Sequence, residues 1–121
     1  MKDWIQVEEG QKEICRKQNV DWTPLDKKLM VAVNESLFTD IQPVNGLRHL
    51  KLESIDGWYL WSGEEIPQDD NSFFKPIHTE HLIEKKRSIL KYLGLPAGWR
   101  FQIDDKGYED MWFDESLLID Q

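Results

Sequence analysis

The stretch Gly57-Trp58-Tyr59-Leu60-Trp61-Ser62-Gly63 constrains the fold of this chain more than any other. Between its two glycines the positions are apolar or aromatic in succession, so neither face can be left to water. A run this short and this aromatic reads as a strand central to a sheet, buried on both sides. Two more aromatic segments follow, Tyr92 to Phe101 and Tyr108 to Asp114. Together the three segments hold four of the six tryptophans. This half of the chain is therefore expected to build the core sheet.

The remaining elements follow from periodicity. Trp4, Val7, Ile14 and Cys15 roughly share a helical face, which predicts a first helix over 4–18, with Gly10 as its weak point. Asp21-Trp22-Thr23-Pro24 then breaks it. Leu29-Met30-Val31-Ala32-Val33 is short and β-branched and reads as a buried strand. Pro43-Val44-Asn45-Gly46 has turn chemistry, because Asn and Gly tolerate positive φ. The segment from Glu64 to Lys75 reads as an acidic loop. Leu82, Ile83, Ile89, Leu90 and Leu93 recur at helical spacing and predict a second helix from about Thr79 to Leu93, stopped by Gly94 and Pro96. Trp99-Arg100-Phe101-Gln102-Ile103 alternates as a half-buried strand does, Asp104 to Gly107 turns the chain, and Tyr108 to Phe113 returns beside it. The resulting expectation is an α+β fold in a single domain, a mainly antiparallel sheet with two main helices packed against it.

Net charge is −8, from 23 acidic and 15 basic residues. That balance argues against nucleic acid, whose affinity depends on Lys and Arg displacing counterions, and against an anionic membrane surface. It suits a basic protein partner, although acidity also serves solubility alone. Cys15 is the single cysteine, so neither an internal disulfide nor a thiol cluster is available. The first residues lack the basic and apolar regions of a signal peptide, and no apolar run approaches bilayer length, which points to the cytoplasm.

No residue pattern carries a catalytic signature. His78 and His81 stand three apart and with His49 could bind zinc in a metal-dependent hydrolase, but the spacing is not that of a metalloprotease helix. Capping by His78 and packing of His81 account for the two histidines better, since a transition-metal site needs three or more converging ligands and only two are local, so no metal or other cofactor is assigned. Glu64, Glu65, Glu109 and Asp110 could divide acid and base roles if their strands paired. A solvated acidic rim explains the same residues more simply. Exposed Trp58, Trp61 or Trp112 would suit a carbohydrate-binding or regulatory module. The serines lie outside any nucleophile elbow, and no glycine-rich phosphate loop opens a helix. Arg48 and Arg100, each between apolar stretches, are expected to pair with Asp56, Asp110 or Asp114 inside the fold.

Read together, these segments carry a resemblance. Pro43 to His49, Gly57 to Glu64, Phe73 to Leu82, Tyr92 to Phe101 and Tyr108 to Leu118 resemble a bacterial immunity-protein family of polymorphic toxin systems. This is the Imm-type, group thirty-three-like domain, formerly a domain of unknown function. The likeness spans 43–118, leaving 1–42 as an N-terminal helix and strand region. It implies a small non-enzymatic protein that binds and neutralises a cognate toxin, with no catalytic residues to carry over. A basic toxin would meet an acidic face. The candidates for that face are Glu64, Glu65, Asp69 and Asp70 in the loop, with Glu109, Asp110, Asp114, Glu115 and Asp120 near the C-terminus. From Asp104 to Gln121 there are seven acids and one base. The same charges would also keep an edge hairpin from pairing with other chains.

Overall fold

A computed structural model describes residues 2–51, 55–63 and 73–119. Helix α1, Lys2–Gln18, buries Val7, Gln11, Ile14 and Cys15, the i, i+4, i+7 and i+8 stripe of an amphipathic helix. Asn19 ends it with φ 59°, Val20 N–H bonding Cys15 O and Asn19 N–H bonding Arg16 O, a Schellman motif with Asn in the glycine position. Gln11 ties α1 to its neighbours, donating to Leu90 O at 2.9 Å and accepting from Trp22 Nε1 at 3.0 Å.

Strands β1 (Met30–Val33), β2 (Val44–Arg48), β3 (Ile55–Ser62), β4 (Lys75–His78), β5 (Trp99–Ile103) and β6 (Glu109–Phe113) form a six-stranded sheet in the order β4-β1-β3-β2-β5-β6. β1 and β3 run parallel, and every other neighbouring pair is antiparallel. The chain is therefore α+β with a mostly antiparallel sheet, and β3 lies inside it as its aromatic run requires. One face packs Val31, Val33, Val44, Trp58, Leu60 and Phe101 against α1 and the segment 82–95. The other gathers Leu47 and Trp61 under Leu117, with Tyr59, Phe73 and Phe74 around them.

Three expectations need correction. Pro43 to Gly46 is not a turn: Val44, Asn45 and Gly46 belong to β2, between β3 and β5. Gly46 is there because a Cβ would sit 2.2 Å from the Phe101 ring on β5. Asn45 is satisfied inside the sheet by Gly63 O at 2.6 Å and Gln102 Nε2 at 2.8 Å. The second helix is not continuous. Helix α2 covers only His81–Lys85, Lys86 leaves helical geometry at φ −151°, and a 3₁₀ segment Arg87–Tyr92 follows. Ile89 and Tyr92, and Leu90 and Leu93, are all buried at spacings of three, which fits the three residues per turn of a 3₁₀ helix. Finally, Lys75, expected to close the acidic loop, instead opens the strand Lys75–His78.

Candidate partner-binding edge

The last hairpin positions the region of interest. Asp104 Oδ1 accepts from Lys106 N at 2.8 Å and Tyr108 N at 2.9 Å, and Gly107 takes φ 98° to close the turn. β6 returns along β5 and is the last strand of the sheet, with no strand paired to its other side among the described residues. It is the most exposed strand to carry large aromatics: Trp112 keeps 36 % of its surface accessible and Phe113 51 %, with Tyr108 beside them at 47 %.

These rings are held in place. The Arg100 guanidinium stacks on Trp112 at 5.6 Å and reaches Asp114 Oδ2 at 3.2 Å. Phe113 packs against Trp99, ring centroids 6.2 Å apart. Asp114 caps the 3₁₀ turn Glu115–Leu118, accepting from the Ser116 amide and hydroxyl, and this turn carries Leu117 back onto the outer face of the sheet. The Ser116 hydroxyl holds the Asp114 carboxyl below its ordinary 3.8; desolvation opposes it, and Arg100 and the Ser116 amide add to the lowering. A depressed carboxylate contributes stability above 3.8 that is lost as the pH falls through the lowered value. Acidification below 3.8 is thus expected to release the Ser116 amide to hydrogen exchange while the β5–β6 amides stay protected. Equal release of both would refute the capping role.

Among the acids expected to face a partner, Glu109 accepts from the Tyr92 hydroxyl, which burial and that carboxylate together push well above its ordinary value. Asp114 is engaged by Arg100 as above. Asp110 and Glu115 are exposed and have no partner among the described residues. Glu64, Glu65, Asp69, Asp70 and Asp120 lie outside the described residues.

The other candidates separate. Arg48 pairs with Asp56 at 3.1 Å, both buried, and donates to Thr23 O at 2.9 Å and Leu95 O at 2.7 Å. Burial pushes its guanidinium down and Asp56 holds it up. His78 and His81 stand 5.7 Å apart, ring to ring, at the β4 edge, whereas His49 sits at the end of β2 against Tyr59 and Leu117 O. Two strands intervene, and no group of three or more His, Cys, Asp or Glu side chains suited to a metal exists among the described residues. Trp58 and Trp61 are buried and offer no platform for a sugar, so of those three tryptophans only Trp112 is exposed. No described helix is long and apolar enough to cross a membrane.

Tyr108 and Phe113 were not singled out by sequence reasoning. The available signal was the adjacency of Trp112 and Phe113: neighbours in a strand point to opposite faces, so a half-buried strand cannot hide both.

Comparison with known proteins gives one match. A model of the Imm33-like domain matches residues 10–114, extending well before the segment 43–118 in which the resemblance was read. No curated protein matches, and no solved structure does. Because the match takes in most of its 121 residues, from the middle of α1 to the end of β6, this chain belongs to the Imm33-like domain family of immunity proteins.

Proposed function

We propose that this protein is a non-enzymatic, cytoplasmic immunity protein that binds a basic toxin domain through the β6 edge and neutralises it by covering its working surface. The observation that carries this reading is the exposure of large aromatics along the β6 edge, Trp112 on the face that carries Asp110 and Phe113 on the opposite one, with exposed Tyr108 and Glu115 at its two ends. Rigid aromatics at the centre of a contact supply most of its binding energy, and unpaired carboxylates speed the approach of a cationic surface. Glu109 and Asp114 have a different part in it. Their bonds to Tyr92 and Arg100 fix the strand and the Trp112 ring rather than meeting the partner.

The test is a titration against a basic toxin domain from a neighbouring gene, for wild type and for the double variant Asp110→Lys/Glu115→Lys. The association rate at low salt is expected to fall by about tenfold or more in the variant, and the salt dependence to flatten. Rates that ignore both salt and the two substitutions would overturn the acidic contact.

A further inference from the structure

We infer that β6 is the seat of strand addition: an extended, basic segment of the partner pairs with it and becomes a seventh strand of the sheet. This rests on the proposed partner binding and specifies its geometry. The antiparallel alternation of β5 and β6 decides which backbone groups are available. Asp104 N–H bonds Tyr108 O at 3.1 Å at one end, and Asp114 N–H bonds Gly98 O at 2.7 Å at the other. Every second register pair between them is hydrogen-bonded, so Asp110 faces Gln102 and Trp112 faces Arg100 with their N–H and C=O turned towards β5. Glu109, Met111 and Phe113 consequently turn theirs away from the sheet, and no strand lies beyond among the described residues.

The two sheet edges differ. β4 carries Pro76, which removes a donor, and Lys75, a charge often used to blunt an edge. β6 has neither proline nor lysine among its five residues. Main-chain bonds would supply affinity, and side chains at alternate positions specificity. Charge selects the occupant. Asp110 and Trp112 project from one face and Glu109 from the other, with Asp104, Asp105 and Glu115 at the ends and Lys106 as the lone base from 104 to 119. A lysine or arginine opposite Asp110 is favoured, and a like charge there is disfavoured. A second copy of this chain would bring another acidic strand and a further net −8 to the same contact.

Hydrogen exchange resolved by residue tests this with a short synthetic peptide alternating lysine with valine, and the same peptide with glutamate for lysine as control. At saturating lysine peptide the amides of Glu109, Met111 and Phe113 are expected to exchange at least about tenfold more slowly, while those of Asp110 and Trp112, already bonded, stay as they were. The glutamate peptide is expected to protect none. Phe113→Pro and Phe113→Ala both lose the ring, but only proline loses the outward donor. Proline is therefore expected to weaken the lysine peptide about fivefold beyond alanine, the loss of one amide bond. Thermal unfolding of both variants checks that each is folded.

Failure to bind at millimolar peptide, binding that leaves the three amides unprotected, or equal losses in the two variants would each overturn strand addition. Protection that needs no peptide and grows with protein concentration would overturn it in favour of a second copy. A toxin domain that binds without protecting these amides removes strand addition alone. One that does not bind removes the proposed function as well.

Discussion

Asp56→Ala is expected to lower the stability of the folded protein by about 3–5 kcal/mol, the cost of leaving a buried charge without its counter-charge. Arg48 is almost fully buried, and among the described residues its only carboxylate within hydrogen-bond reach is Asp56, at 3.1 Å. Its other donors go to the carbonyls of Thr23, Leu93 and Leu95 and to Asp56 O, and its guanidinium lies 5.5 Å from the Trp58 ring. Lys51 is the nearest other cation to Asp56, at 4.0 Å, and it is half exposed. The carboxylate also accepts from Asp26 N–H at 2.8 Å, so its removal orphans a donor in the connection between α1 and β1. Asp56→Asn keeps an acceptor in place and is expected to lose about half as much. Urea unfolding of the three proteins checks the ranking, and an Asp56→Ala loss under about 1 kcal/mol would show that water reaches Arg48.

Gly57→Ala is the second large effect, about 2–6 kcal/mol, because two penalties fall on one residue. Its φ of 89° costs an L-residue about 1–3 kcal/mol. A Cβ there would also lie 2.2 Å from His49 O, a backbone atom that accepts no easy displacement because His49 N–H is bonded to Gly57 O at 2.9 Å. Overpacking of this kind costs about a further 1–3 kcal/mol. Gly107 isolates the first penalty: its φ is 98°, and nothing lies within 4 Å of the added carbon. Gly57→Ala should therefore exceed Gly107→Ala by the clash alone, and equal losses in thermal or urea unfolding would remove the steric part of the argument.

How far the chain could be read beforehand varied by kind of feature. The burial of Leu82, Ile89, Leu90 and Leu93 was visible in their spacing, yet the same apolar residues suit an α-helix or a 3₁₀ helix. Spacings of three and four coexist in 82–93, and only the packing against α1 selects the tighter form after Lys86. Asn45-Gly46 misled because glycine serves two purposes. A turn uses its positive φ, whereas here a neighbouring ring uses its missing side chain. The pairing of Arg48 with Asp56 and of Arg100 with Asp114 was among the expectations, since each arginine stands in apolar surroundings that demand a counter-charge. At the candidate site the acids Asp110 and Glu115 could be picked out by charge, but their neighbours Glu109 and Asp114 could not be told from them. The Tyr92 hydroxyl that binds Glu109 comes from a different element and has no local signature.

Local chemistry along the chain thus determined an α+β architecture, a doubly buried aromatic strand, a closing hairpin and an acidic C-terminal region, because periodicity, turn residues and charge act over a few neighbouring positions. Tertiary structure alone decided that β6 lies last in the sheet with three outward amide pairs, that Trp58 and Trp61 are buried while Trp112 is not, and which carboxylates are already held. An edge is defined by the strand that is missing beside it, and a free charge by the partner that does not reach it, so neither is a property of the residues themselves.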